Sequence, residues 1–193
     1  MLAEAAAHLA STLIAQSRRG AVTVVALDGG GGAGKSTLAE LIKRTLSTVS
    51  IVGLDDFYRP LHGDARAEAD PKYTYLKYLE LERVRHEALV PLRTGTPARY
   101  QPRDWKSAEL RGWVEVAPNP IVILEGVYSS CPELRDLIDL AIFVHTPRAI
   151  RQARLLARRQ DDTAWIERWM AVEDWYLSNI RPADTADLVV AGS

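Results

Sequence analysis

The feature that most constrains this chain is a run of glycines that ends in a lysine and a serine. Of the 12 glycines in the 193 residues, five lie between positions 29 and 34. Residues 29–36 read Gly-Gly-Gly-Gly-Ala-Gly-Lys-Ser and match the pattern G-x-x-x-x-G-K-[ST]. The run follows the apolar, β-branched residues 21–27, which predict a buried strand. It precedes residues 36–46, whose apolar side chains recur at helical spacing. This order of strand, glycine loop and helix predicts a loop whose backbone N–H groups hold nucleotide phosphates.

The residue types in this loop indicate ATP and Mg²⁺ as its ligands. The residues expected to bind the nucleotide are Gly29, Gly30, Gly31, Gly32, Ala33, Gly34, Lys35, Ser36 and Thr37. Lys35 would reach the β- and γ-phosphates, and the hydroxyl of Ser36 would bind Mg²⁺. A GTPase would be expected to carry an Asn-Lys-x-Asp motif, which the sequence lacks. A short chain with one such loop therefore favours a small-molecule kinase.

The composition limits the kinds of binding partner and the cellular compartment expected for this protein. The formal net charge of -1 argues against bulk nucleic acid or an anionic membrane as the main partner. No run of about 18 apolar residues is present, so no membrane span is expected. Cys131 is the sole cysteine, which excludes an intramolecular disulfide and fits a reducing cytoplasm. We expect a cytoplasmic protein that acts on a small molecule. The sequence does not fix the oligomeric state, and a homodimer is compatible with it.

Strand and helix patterns alternate along the chain. Apolar runs predict strands at residues 21–27, 51–54, 121–124, 140–144 and 187–190. Helical patterns cover residues 2–18, 36–46, 76–92, 148–159 and 163–180. This order predicts an α/β fold, a three-layer sandwich with a mostly parallel five-stranded sheet. With the glycine loop after its first strand, the fold is expected to be of the P-loop NTPase type and to resemble that of the nucleoside monophosphate kinases. We expect one kinase domain over residues 1–193, with an irregular acceptor-binding insertion at about 59–120, a hairpin around 113–116 and a lid at about 157–164.

Acidic residues follow two of the predicted strands. Asp55 and Asp56 come directly after the second strand, and Glu125 ends the strand that begins at residue 121. Because the carboxyl ends of parallel strands face the ligand crevice, these side chains are expected near the phosphate loop. A carboxylate there can accept the proton of an attacking hydroxyl or help to hold Mg²⁺. The alternatives are a helix cap or solvated turn for the two aspartates and a surface turn for the glutamate.

The segment 148–159 is rich in arginine and is predicted to be a helix. Arg151, Arg154 and Arg158 are spaced by three and four residues, so they share one helix face. Such a face could neutralise charge on a transferring phosphoryl group; the alternative is a solvated charged face. In the next predicted helix, the near-helical spacing of Trp165, Trp169 and Trp175 favours a place in the core.

The segments DGGGGAGKSTLA and LDDFYRP resemble the uridine kinase and nicotinamide riboside kinase group of P-loop kinases, which also includes phosphoribulokinase and bacterial pantothenate kinase. The resemblance implies that Asp55 is the catalytic base and that Glu125 lies near Mg²⁺. It places Asp56 and Tyr58 on the nucleoside side and Arg151 on the substrate side. It implies a phosphate-side, catalytic role for Arg154 and Arg158, beside Lys35.

The match is looser in the insertion. Asp70 weakly resembles the family aspartate that holds ribose hydroxyls, and a plain loop aspartate is equally compatible with its surroundings. Residues 97–105 (PARYQPRDW) resemble the stretch that touches the base, with either Tyr100 or Arg103 at the base-contacting position. Arg99 and Arg103 could instead favour an anionic acceptor.

Together the motifs predict an ATP-dependent kinase that phosphorylates a hydroxyl of a nucleoside, similar to uridine, cytidine or nicotinamide riboside. A second hypothesis keeps the fold and changes the acceptor to pantothenate, a sugar phosphate or another alcohol. A third hypothesis is an ATP-binding regulatory protein without transferase activity. The sequence leaves the identity of the acceptor open.

Overall fold

Strands and helices alternate along the chain, as the sequence pattern predicts. The computed structural model describes residues 2–17, 20–59, 77–104, 107, 109–158 and 163–192. The helices are α1 (Leu2–Gln16), α2 (Lys35–Thr45), α3 (the consecutive stretches Leu81–Arg83, Val84–Leu89 and Val90–Arg93), α4 (Arg148–Arg158), α5 (Thr163–Asn179) and α6 (Pro182–Thr185). The strands are β1 (Thr23–Asp28), β2 (Val49–Gly53), β3 (Ala98–Tyr100), β4 (Val114–Val116), β5 (Ile121–Glu125), β6 (Leu140–His145) and β7 (Leu188–Ala191). Among the described residues, no helix is long and apolar enough to cross a membrane.

The main sheet brings the chemically important strand ends together. Over the described ranges it has five parallel strands in the order β2-β5-β1-β6-β7. In register, Glu125 at the end of β5 pairs with Leu27 of β1 on one side and with Gly53 of β2 on the other. Because the strands are parallel, the ends of β1, β5 and β2 meet at one edge, where a ligand crevice is expected. The phosphate loop, Asp55 and Glu125 therefore begin from the same edge.

A buried core lies on each face of the sheet. On one face α1 and α2 cover alternate residues of the central strands, among them Val25, Leu27 and Ile123. On the other face α3, the β3–β4 hairpin and α5 cover the intervening residues, among them Val24 and Leu124. Side chains of a strand alternate between the faces, so a central strand with helices on both sides must be apolar throughout. This arrangement confirms the predicted three-layer α/β fold.

The segment between β2 and β5 departs most from the predicted pattern. A helix is expected over residues 76–92, whereas α3 begins at Leu81 and passes through a π-helical stretch, Val84–Leu89. Pro91 lies just after that stretch. Since proline has no N–H to donate, the change from π- to α-helical hydrogen bonding falls where a donor is missing. The hairpin expected around residues 113–116 is present, with β4 antiparallel to β3.

Candidate active site

The phosphate loop, residues 29–34, joins the end of β1 to the start of α2. Gly32 and Gly34 have φ values of 78° and 101°, in the left-handed region that favours glycine. Lys35 is the first residue of α2, so the helix N-terminus and its unpaired N–H groups point into the loop. The local geometry is that of an anion-binding cradle.

Close packing behind the loop leaves no room for larger side chains. A β-carbon at Gly32 would lie 2.7 Å from the backbone oxygen of Arg151, and one at Gly31 would lie 2.8 Å from Oε1 of Glu173. A β-carbon at Gly30 would collide with the guanidinium of Arg151. The loop therefore rests directly on α4 and α5.

Positive side chains reach the loop from α2 and α4. Nζ of Lys35 donates a hydrogen bond to the backbone oxygen of Gly30 at 3.1 Å. Nη1 of Arg154 donates to the backbone oxygen of Gly32, also at 3.1 Å. Arg158 lies one turn further along α4 and lines the adjoining cavity. A phosphate on this loop would meet both backbone N–H groups and these cations, which is a strong combination for anion binding.

A cavity of about 300 Å³ opens beside the loop. On the loop side it is lined by Gly31, Gly32, Gly34, Lys35, Ser36 and Thr37. Asp55, from the turn after β2, and Glu125, from the end of β5, lie on its wall with Arg158. The structure thus brings together in one cavity most of the loop residues predicted for phosphate binding and the carboxylates predicted for metal binding and proton transfer. Gly29, Gly30, Ala33 and Arg154, also predicted on the phosphate side, are not among the residues that line it.

The environment of Asp55 fits a group that exchanges protons. Asp55 is accessible to solvent because it lines the open cavity. The walls of that cavity nevertheless surround its carboxyl with protein. Burial in the cleft raises the pKa of Asp55, while the positive charges of Lys35 and Arg158 oppose that rise. A carboxylate whose pKa is raised in this way is a better proton acceptor than an aspartate in water.

Ser36 and Glu125 form the candidate metal site. Burial raises the pKa of Glu125, and the nearby charge of Lys35 and a hydrogen bond with the side chain of Ser36 oppose the rise. No cluster of three or more His, Cys, Asp or Glu side chains suited to a metal occurs among the described residues. Mg²⁺ does not need one, because it keeps several waters and takes its other ligands from one or two protein oxygens and the phosphates. The hydroxyl and carboxylate present therefore fit Mg²⁺ bound together with a nucleotide.

Aromatic side chains form an aromatic wall on another side of the cavity. Tyr58, Tyr78, Trp165 and Trp169 all line it. The rings of Trp165 and Trp169 stack at 5.7 Å with an angle of 9°, and Tyr58 and Tyr78 meet Trp169 edge-on at 5.3 and 5.1 Å. Helical spacing predicts these tryptophans in the core; Trp169 does pack against it, but both also face the cavity.

Arg151, predicted on the substrate side, lies behind the phosphate loop instead. Its side chain is 4% exposed, and it is not among the residues that line the cavity. Its Nη1 is 3.0 Å from Oε2 of Glu173 and its Nη2 is 3.4 Å from Oδ1 of Asp174. Arg151 shares a helix face with Arg154 and Arg158 as predicted, but these carboxylates already balance its charge.

Other predicted acceptor residues lie outside the cavity lining. Tyr100 is buried, and its hydroxyl donates to Oδ2 of Asp56 at 3.0 Å. Arg103 is paired with Glu80, with 2.7 Å between Nη2 and Oε1. The guanidinium of Arg99 lies 4.3 Å from the ring centre of Trp113. Tyr100 is thus engaged by Asp56, which precedes the insertion, and Arg103 and Arg99 are engaged by residues of the insertion itself.

Two parts of the predicted site cannot be placed. Asp70 falls within 60–76 and residues 159–162 fall within the predicted lid, and both stretches lie outside the described residues. Arg59, which the sequence reasoning did not single out, does line the cavity. It comes directly after Tyr58, so the LDDFYRP segment contributes more to the cavity than its first residues alone indicate.

Sequence reasoning also missed two buried carboxylates, Asp28 and Glu173. Asp28 ends β1, and its side chain accepts hydrogen bonds from the N–H groups of Gly29, Tyr128 and Ser130 and from the hydroxyls of Ser130 and Tyr176. Glu173 accepts from the N–H of Gly31 at 2.8 Å. The signal for Glu173 was its spacing of four from Trp169 and three from Tyr176, which puts a carboxylate on the apolar face of α5.

Comparisons with known proteins agree with this geometry. Residues 24–191 match the Phosphoribulokinase / Uridine kinase family. A uridine kinase from Borrelia hermsii is 28% identical over 146 residues, which is 71% of this chain and 67% of the relative. A uridine kinase from Staphylococcus epidermidis is 29% identical over 167 residues, 83% of this chain and 78% of the relative. Among solved structures, a possible uridine kinase from Bacillus stearothermophilus has a TM-score of 0.72 at 21% identity, covering 95% of this chain and 96% of that one. The chain belongs to the phosphoribulokinase / uridine kinase family of P-loop kinases.

Proposed function

We propose that this protein is an ATP-dependent kinase that transfers the γ-phosphoryl group to a hydroxyl of a nucleoside. The observation that carries the proposal is the position of Asp55, which lines the same cavity as the phosphate loop, Lys35 and Arg158. A protein that only binds a nucleotide needs no carboxylate on the acceptor side of its loop. The arrangement therefore favours phosphoryl transfer over the regulatory, binding-only alternative.

In the proposed reaction an oxygen of the acceptor attacks the γ-phosphorus, and the bond from that phosphorus to the bridging oxygen of ADP breaks. Asp55 takes the proton of the attacking hydroxyl. Lys35, Arg154 and Arg158 balance the negative charge of the phosphoryl oxygens. Mg²⁺, held by Ser36 and Glu125, would supply further positive charge to the phosphates.

The aromatic wall supports a nucleoside as the acceptor. The rings of Tyr58, Tyr78, Trp165 and Trp169 line the cavity, and aromatic side chains stack on nucleobases. Pantothenate and sugar phosphates offer no flat ring to such a wall. Arg103, which could serve an anionic acceptor, is held in an ion pair. The two curated relatives described above are uridine kinases, which supports the same class.

The proposal treats residues 1–193 as one kinase domain. Tyr78, from the insertion at about 59–120, and Trp165, just after the lid at about 157–164, both line the cavity. We infer that the insertion contributes to the acceptor site. We further infer that the lid closes over the substrates and excludes water, which would otherwise compete with the acceptor hydroxyl.

The test is a panel of acceptors with ATP and Mg²⁺. ADP formation is measured for each acceptor and for a reaction without acceptor, and mass spectrometry identifies the phosphorylated product. Uridine, cytidine and nicotinamide riboside represent nucleosides, and pantothenate and a sugar phosphate represent the alternative. A phosphorylated nucleoside is the expected result. If only pantothenate or the sugar phosphate is phosphorylated, the acceptor is a non-nucleoside alcohol and the second hypothesis is correct. ATP binding without transfer to any acceptor would contradict the proposed kinase activity.

A further inference from the structure

Glu173 is a buried carboxylate that contacts the phosphate loop and lines the cavity beside it. Its side chain is 0% exposed. Oε2 accepts hydrogen bonds from the backbone N–H of Gly31 at 2.8 Å and from Nη1 of Arg151 at 3.0 Å. Oε1 is buried and has no hydrogen-bond partner among the residues that the structure describes. The carboxylate is therefore close to the phosphate site, and only one of its two oxygens has hydrogen-bond partners.

The burial of the Glu173 carboxylate is only partly compensated by its partners. Burying a charged group is unfavourable unless hydrogen bonds and an opposite charge replace its hydration. Here one oxygen is left without a partner, and burial raises the pKa of Glu173 although Lys35, the N–H of Gly31 and Arg151 oppose that rise. An apolar residue would avoid this cost but would leave the buried guanidinium of Arg151 without this counter-ion. The glutamate therefore supplies two things, the balance of that charge and the contact with Gly31.

The same helix holds the loop at a second point. Three residues after Glu173, the hydroxyl of Tyr176 donates to Oδ2 of Asp28 at 2.7 Å. Oδ1 of Asp28 accepts the N–H of Gly29 at 2.6 Å. Helix α5 thus fixes the beginning of the loop through Asp28 and its middle through Glu173.

Helix α5 also carries part of the acceptor wall, the aromatic wall of the cavity to which the proposed function assigns the nucleoside. Trp165, Ile166 and Trp169 line the cavity, and they lie one and two turns before Glu173 on α5. A shift of α5 relative to the loop would move these side chains and the phosphate cradle apart. The contact between Glu173 and Gly31 is thus one of two points, with the contact between Tyr176 and Asp28, that join the loop to the helix carrying these side chains.

We propose that Glu173 is a positioning residue, which fixes the phosphate loop against α5 through the N–H of Gly31 and thereby aligns the nucleotide with the acceptor wall. The inference rests on the proposed function, since it takes the loop as the nucleotide site. The proposed role requires a side chain long enough for its oxygen to accept the hydrogen bond from the N–H of Gly31. The negative charge of Glu173 is secondary, because a neutral oxygen can accept the same hydrogen bond.

Two substitutions distinguish the effect of the length of the side chain from the effect of its negative charge. Glu173→Gln keeps the length of the side chain and an oxygen acceptor but removes the charge. Glu173→Asp keeps the charge but withdraws the oxygens by one methylene from Gly31. Asp174→Asn is the matched control, because Asp174 also contacts Arg151, whereas its ion pairs among the described residues are with Arg148 and Arg151 and not with the loop. Circular dichroism and a thermal melt first establish that each variant is folded at the assay temperature.

The affinity for ADP is measured by isothermal titration calorimetry, and KM for ATP and kcat are measured with the acceptor that the panel identifies. Glu173→Asp is expected to weaken ADP binding about tenfold and to raise KM for ATP together with a fall in kcat. Glu173→Gln and Asp174→Asn are expected to stay within about threefold of the wild type.

Each contrary outcome has a distinct meaning. ADP affinity within threefold of the wild type in Glu173→Asp would overturn the inference, as would a loss in Glu173→Gln that exceeds the loss in Glu173→Asp. A loss in Asp174→Asn as large as that in Glu173→Asp would assign the effect to Arg151 and would also overturn it. Failure of the wild-type protein to bind ADP would instead contradict the proposed function.

Discussion

Asp28, at the end of β1, anchors the start of the phosphate loop, and its removal has a calculable cost. The side chain is 0% exposed and accepts from the N–H groups of Gly29, Tyr128 and Ser130 and from the hydroxyls of Ser130 and Tyr176. In Asp28→Ala the hydroxyls can rotate toward other acceptors. The buried backbone N–H groups cannot, and at about 1 kcal/mol for each unsatisfied group the free energy of unfolding should fall by about 3 kcal/mol.

Urea denaturation followed by circular dichroism measures this loss, with linear extrapolation to water. Tyr176→Phe is the control, since it keeps the ring and removes a single donor to Asp28; we expect it to cost about 1 kcal/mol. Because both changes affect the same network, the double variant should cost less than the sum of the single ones. A loss of less than about 1 kcal/mol in Asp28→Ala would refute the view that this carboxylate holds the loop.

Three further predictions concern the cavity. Lys35→Ala should weaken ADP binding and reduce kcat at least tenfold, whereas Lys43→Ala, on the exposed last turn of the same helix, should change neither; calorimetry and steady-state kinetics check both variants. Trp165→Leu should raise KM for the acceptor about fivefold or more through lost stacking and leave ADP affinity unchanged, and an unchanged KM would remove this ring from the acceptor site. Asp55 must be ionised to accept a proton, and burial raises its pKa above 3.8. As the pH is lowered, log(kcat/KM) should therefore fall, with a midpoint above that value. A profile that stays flat down to pH of about 3.9 would contradict the assignment of Asp55 as a base with a raised pKa.

The sequence predicts best what depends on local pattern. The glycine loop lies between β1 and α2 because an apolar strand run, the glycines and an amphipathic segment follow one another within residues 21–46. Asp55 and Glu125 meet this loop because parallel strands place their carboxyl ends at one edge. Neither inference requires knowledge of which distant side chains pair.

What the sequence does not predict depends on partners far along the chain. Arg151 has the spacing of a phosphate-facing arginine, but its partner Glu173 is 22 residues away on another helix. Tyr100 and Arg103 carry the chemistry of an acceptor site, yet Asp56 and Glu80 engage them within the fold. Side-chain pairing of this kind is set by the packing of the helices and the insertion, which no local motif encodes.

The central claim is that Asp55 is the base of a phosphoryl transfer on the P-loop, and Asp55→Asn tests it most directly. The amide keeps the size of the side chain but cannot take the proton of the acceptor hydroxyl. With the acceptor identified, ADP affinity should stay within about threefold of the wild type while kcat falls by about 10²- to 10⁴-fold. A variant that binds ADP normally and retains near-wild-type kcat would contradict the claim.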